Sequence, residues 1–131
     1  MREAVIVSTA RTPIGKAYRG SFNNLASPTL AGHAISAAVA RAGIEPDRIE
    51  DCIMGAALTQ GSQGGNIGRT AALRAGLPVT VSGMTIDRQC SSGMMAVATA
   101  AKQVIHDGMD CLLYTSPSPR DLSTSRMPSS A

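Results

Sequence analysis

Aromatic side chains are nearly missing from this sequence. Phe22, Tyr18 and Tyr114 are all it has, with no tryptophan. A core must therefore come from Ala, Val, Ile, Leu and Met, small side chains that let backbones approach but bury little area each. Such a core gains from packing against a larger body. A basic stripe is missing as well. The formal charge is +3, but no block of like charges with interleaved aromatics accompanies it, so the electrostatic footprint of a nucleic-acid binder is not there. No run of about 18 apolar residues occurs, and no membrane span is expected. Met1-Arg2-Glu3 and the short run after it lack a signal-peptide h-region and cleavage site. The cysteines Cys52, Cys90 and Cys111 form no C-x-x-C pair. They read as neither a disulfide framework nor a zinc site, so no metal is expected and a reducing, cytoplasmic setting fits. His33 and His106 stand alone in helical stretches and read as partly exposed helix residues rather than ligands.

What is present alternates between short apolar runs and helical periods. The 131 residues suffice for one domain. Ala4-Val5-Ile6-Val7 reads as a buried strand, and Pro13 and Gly15 mark the loop after it. Ser27-Pro28 resembles an N-cap with proline at N1. Leu30, Ala31, Ala34, Ile35, Ala38, Val39 and Ala42 then fall at helical spacing, and Gly43 sits where a C′ glycine belongs. Asp51 to Met54 reads as a second strand. The glycine-rich stretch from Gly61 to Gly68 matches neither G-x-G-x-x-G nor the P-loop, so it reads as a turn opening a helix over Arg69 to Ala75. Val79 to Ile86 is a third strand candidate. From Ser91 the pattern is helical, with Met94, Val97, Ala98, Ala101, Val104 and Ile105 on one stripe and Asp107-Gly108 as its end. Cys111 to Tyr114 could be a fourth strand. Strands alternating with helices predict an α/β layered fold with a mostly parallel sheet. After Thr115 the chain turns serine- and proline-rich and loses apolar periodicity, which reads as a disordered tail unrelated to the body. The division drawn is 1–110 for the domain and 111–131 for the tail.

The sharpest chemical feature is Asp87-Arg88-Gln89-Cys90-Ser91-Ser92-Gly93. An apolar strand ends, a cysteine follows, and a helix begins. The first turn of a helix has unpaired N–H groups and a partial positive charge, which eases loss of the thiol proton. The bend also carries the side chain to the carboxyl edge of the sheet, where α/β folds place their sites. Ser91, Ser92 and Gly93 leave room for a carbonyl and keep N–H groups open for an oxyanion. The competing reading, an inert core cysteine, stays open on these grounds alone. Cys52, between Asp51 and Ile53, reads as structural.

The Cys90 segment resembles the thiolase nucleophile motif, a cysteine followed by a small residue, Ser and Gly. Val7-Ser8-Thr9-Ala10-Arg11-Thr12-Pro13-Ile14-Gly15-Lys16 resembles the thiolase opening strand and loop, and Arg69-Thr70-Ala71-Ala72-Leu73-Arg74-Ala75-Gly76-Leu77-Pro78 the helix and turn before the cysteine strand. The likeness is collinear over residues 1–110. Asp87 departs from it, since many members carry Asn there. The resemblance implies the N-terminal part of a thiolase-like layered fold and a homo-oligomeric parent enzyme of fatty acid metabolism. It implies acyl transfer between CoA thioesters with CoA and acyl-CoA as substrates and no cofactor: thiolytic cleavage of a 3-ketoacyl-CoA, or Claisen condensation of acetyl-CoA, through a thioester on Cys90. The family's histidine and second cysteine have no counterpart here, so an incomplete, inactive fragment is expected. A ketoacyl-synthase-like condensing enzyme and a non-catalytic folding or dimerising fragment are the alternatives.

Overall fold

The structure, a computed structural model, describes residues 2–115. Most of the expected tail, 116–131, lies outside the described residues. The architecture is three-layered. A parallel sheet of three strands, β1 (Asp51–Gly55), β2 (Ser82–Ile86) and β3 (Leu112–Thr115), runs in the order β2-β1-β3. Asp51 pairs with Ser82 on one side and with Leu112 on the other. Helices α1 (Ser27–Ala42) and α2 (Ile67–Arg74) cover one face, and α3 (Ser92–Lys102) covers the other. The alternation of β1 sets this up. Cys52 and Met54 face α1 and α2 with Ile35, Ile67, Ala71 and Ala72, while Ile53 faces α3 with Ala96 and Ala100. Every residue of β1 is buried, as a central parallel strand requires. The α/β class and the parallel sheet expected from the sequence are both present.

Helix ends follow the expected chemistry with small shifts. α1 starts with Ala26 at the N-cap, so Pro28 falls at N2, and Gly43 ends the helix at φ 64°, a conformation glycine adopts without steric cost. α2 begins at Ile67, two residues before the expected start, because Asn66 caps it by accepting from the Arg69 N–H at 3.2 Å. β2 starts at Ser82, not Val79. The carbonyls of Val79 and Val81 accept from the Arg69 guanidinium, and the Val81 N–H donates to Pro78. A turn thus occupies the stretch, and Val79 is exposed.

Two expectations are overturned. Ala4 to Val7 is no buried strand: Val5, Ile6 and Val7 are 75%, 63% and 68% exposed. Both edges of β1 are taken by β2 and β3. The segment instead lies along α1, held by Ser8 Oγ donating to the Ala38 carbonyl at 2.8 Å and by Arg41 donating to the Thr9 carbonyl at 2.9 Å. An ion pair between Arg2 and Asp110 anchors its start. Met94 does not belong to the buried stripe of α3, being 77% exposed. Ser92, Ala96 and Ala100 form that stripe, because small side chains let the helix settle close on β1. The strand offered by the sequence at Cys111 to Tyr114 forms as β3, pairing to β1, and Glu50 Oε2 accepts from the Asp110 N–H just before it at 2.6 Å. Beyond α3 the helix widens into a π turn, Gln103–Asp107, and stops at Gly108 in the left-handed region. No helix among the described residues is long and apolar enough to cross a membrane.

Candidate active site

Cys90 lies where the sequence places it, between the carboxyl end of β2 and the start of α3. The junction is built tightly. After Ile86 the chain turns through a single 3-10 turn, Gln89–Ser91, and enters α3 at Ser92. Gln89, directly before the cysteine, has φ 52°. For a side chain with no special preference for that region, this conformation costs on the order of 1–3 kcal/mol, and its surroundings must hold it. They do so from both sides. Asp87 Oδ1 accepts from the Gln89 N–H at 2.9 Å. Ser92 Oγ donates to the Gln89 carbonyl at 2.7 Å and accepts from the Arg88 N–H at 2.9 Å. Ser91 Oγ donates to the Arg88 carbonyl at 2.8 Å.

The floor under this turn is Gly55, at the end of β1. A Cβ there would lie 2.5 Å from the Ser92 carbonyl carbon and 2.7 Å from the Gly93 nitrogen. Only glycine lets the start of α3 rest on the end of β1. Ser92 is correspondingly buried, while Cys90 and Ser91 are exposed. The amides of Ser91 and Ser92 are not open for an oxyanion, contrary to expectation. They donate to the carbonyls of Arg88 and Gln89, closing the turn.

The three cysteines are in contrasting settings. Cys52 is fully buried, and burial, helped by the Asp51 carboxylate, pushes its thiol up to about 12. Cys111 is half-buried, and its thiol is also raised, by burial first and then by Glu50 and Asp110 against the opposing pull of Arg48. Both lie near the amino ends of their strands. Cys52 is level with Gly83 in the register, so about 10 Å of strand separates its level from the end of β2. His106 is sixteen residues further along the helical stretch that begins at Cys90, roughly 24 Å away at helical rise. His33 is exposed on α1, in the opposite layer. Cys90 is therefore not brought together with either histidine or either other cysteine. Among the described residues no group of His, Cys, Asp and Glu is arranged to hold a metal.

A cavity of about 440 Å³ runs between the amino-terminal segment, α1 and β3. Its walls are mostly aliphatic, including Val5, Leu30, Ile35 and Leu113, and it reaches α3 at Gly93 and Val97. Cys90 is not among its lining residues. The thiol is thus not part of the wall of this apolar space.

The turn's pins were not foreseen from the sequence. An Asp two residues before a Gln is a recognisable Asx-turn signal, but nothing in residue order announces that Ser92 reaches back to Gln89.

Comparison with known proteins agrees with this arrangement. Residues 4–115 match the model of the thiolase N-terminal domain. An acetyl-CoA acetyltransferase from Cupriavidus necator is 46% identical over 105 residues, covering 80% of this chain and 26% of that protein. A 3-ketoacyl-CoA thiolase from Bacillus subtilis is 41% identical over 110 residues, covering 84% of this chain and 28% of that one. The crystal structure of the Bacillus anthracis acetyl-CoA acetyltransferase superposes with a TM-score of 0.78 at 36% identity, over 89% of this chain and 31% of that one. The chain thus spans between a quarter and a third of each of these relatives. With the family model covering all but the first few of the described residues and the fold matching a solved member, this chain belongs to the thiolase family, as its N-terminal domain.

Proposed function

We propose that this chain carries the nucleophile of an enzyme that transfers acyl groups between CoA thioesters, and that Cys90 is that nucleophile. The observation that carries the reading is the contrast among the thiols: one exposed cysteine at the junction of a sheet's carboxyl edge with a helix start, and two others withdrawn by burial. In the step proposed, the Cys90 thiolate attacks the thioester carbonyl. A C–S bond to Cys90 forms, the C–S bond to CoA breaks, and CoA leaves as a thiolate that takes up a proton. In condensation the α-carbon of an acetyl-CoA, having given up a proton, then attacks the Cys90 thioester, so that a C–C bond forms and Cys90 leaves as a thiolate. In thiolytic cleavage Cys90 attacks the 3-keto carbonyl instead. The C2–C3 bond breaks, acetyl-CoA leaves as an enolate that takes up a proton, and the thiol of CoA then takes the shortened acyl group and frees Cys90. Splitting the transfer in this way divides one hard step into two easier ones. Thiolytic cleavage of a 3-ketoacyl-CoA and condensation of acetyl-CoA are the two directions of this chemistry, as the names of the relatives suggest. The chemistry needs no metal or prosthetic group. The thiolase resemblance implies that the Cys90 N–H donates to the developing oxyanion; the two amides after it are used by the turn.

The proton transfers have no candidate beside Cys90 among the described residues. Each such transfer contributes roughly 10²- to 10⁴-fold in rate. The 131-residue chain incubated with acetyl-CoA is therefore expected to form one acetyl adduct, on the peptide containing Cys90, and to lose it in Cys90→Ser. An adduct on Cys111 or Cys52 with Cys90 unmodified would remove the assignment.

A further inference from the structure

The turn before the nucleophile has one pin that is rigid and one that is not. Ser92 is 3% exposed and sits in the first turn of α3 against Gly55, so its hold on the Gln89 carbonyl comes with the packing of the helix. Asp87 is exposed just after β2, and among the described residues its side chain accepts one hydrogen bond, from the Gln89 N–H at 2.9 Å. Between the two, Gln89 is kept at φ 52°. Glutamine leaves the left-handed region easily, since its side chain gains no local bond there, unlike Asn or Asp. Gln89 and Cys90 share a peptide plane. A swing of Gln89 into the right-handed or extended region therefore reorients the Cys90 Cα–Cβ bond relative to the start of α3.

We propose that Asp87 is a positioning residue for Cys90, fixing the left-handed turn at Gln89 that sets the orientation of the Cys90 side chain. The proposal rests on the reading of Cys90 as the nucleophile. Its chemistry is that of a hydrogen-bond acceptor, which an amide oxygen supplies as well as a carboxylate. Asparagine at 87 would keep the turn, and alanine would not.

The test compares second-order rates of Cys90 carbamidomethylation at neutral pH in the full chain, read by peptide mapping, with thermal melts followed by circular dichroism. Asp87→Ala is expected to slow Cys90 labelling by about fivefold, the factor that corresponds to the net worth of one hydrogen bond, with little change in melting because the side chain is exposed. Asp87→Asn is expected to label at the wild-type rate. Gln89→Asn placed in the Asp87→Ala background is expected to return part of the lost rate, because asparagine tolerates the left-handed region. Wild-type labelling in Asp87→Ala overturns the proposal, as does Asp87→Asn labelling as slowly as Asp87→Ala, or a Gln89→Asn background that restores nothing. Should Cys52 or Cys111 label before Cys90 in the wild-type chain, the nucleophile reading fails separately, while the ratio of Cys90 rates still decides the role of Asp87.

Discussion

At the residue scale the three thiols offer a direct measurement. The thiolate is the reactive form, and Cys52 and Cys111 both have their thiols raised while Cys90 is exposed. Iodoacetamide at neutral pH should therefore modify Cys90 first, with Cys52 resisting until the chain unfolds. Prompt labelling of Cys52 in the folded chain would contradict its burial. Cys52 also predicts a pH dependence of stability. Its folded value of about 12 lies above that of an unfolded thiol, near 9. Below pH ~9 both states hold the proton and the contribution of Cys52 is fully present. Between pH ~9 and ~12 the unfolded chain loses the proton while the folded one keeps it. Stability then falls with rising pH, at up to about 1.4 kcal/mol per pH unit. Other groups titrate there too, so the quantity to read is the difference from Cys52→Ala in urea melts across that window. Equal slopes for the two proteins would show that Cys52 is not held protonated by the fold.

At the element scale the start of α3 depends on the end of β1. Gly55→Ala would set a methyl against the backbone of Ser92 and Gly93, which cannot rotate away as a side chain could. We expect a loss of about 1–3 kcal/mol, the usual cost of overpacking, seen as a lower urea midpoint. Cys90 labelling should change as well, because α3 must shift. An unchanged midpoint would mean that the junction is looser than its distances imply. The start of α2 relies on Asn66, whose side chain accepts from the Arg69 N–H and the Thr85 hydroxyl and donates to the Gly83 carbonyl at 2.6 Å. Asn66→Ala should cost about 1 kcal/mol or more, since a cap and a tie between helix and sheet are lost together.

At the scale of the whole molecule, the amino-terminal segment is the least integrated part of the described body. Ile6 is mostly exposed and belongs to no strand. Ile6→Ser should change the stability of this chain by no more than about 0.5 kcal/mol, as for an ordinary surface substitution. A loss several times larger in thermal melts would mean that residues 4–7 pair into the sheet in solution. The scarcity of aromatics bears on the same point. A body built from alanine stripes, such as Ala71 and Ala72 on one face and Ala96 and Ala100 on the other, gains little area per residue and has little stability to spare.

Residue order carries the local features: the parallel α/β alternation, the glycine that ends α1, a strand over Asp51 to Met54, and a cysteine set between a strand and a helix. These follow from periodicity, β-branching and capping chemistry, which act over a few residues. It also carried the family resemblance, through three collinear stretches that the family model covers. Tertiary structure decided the rest. Ala4 to Val7 has every local mark of a strand, yet it joins neither outer edge of the sheet and is tied instead to α1 by Ser8 and Arg41. Met94 fits the helical period, but the helix rotates to set its smallest residues on β1. Val79 to Val81 is apolar enough for a strand, yet Arg69, a residue of α2, takes its carbonyls. The left-handed turn at Gln89 is pinned by a serine that residue order does not single out. In each case the outcome rests on a contact with another element, and which elements meet is settled only when the sheet and its two helical layers close on one another.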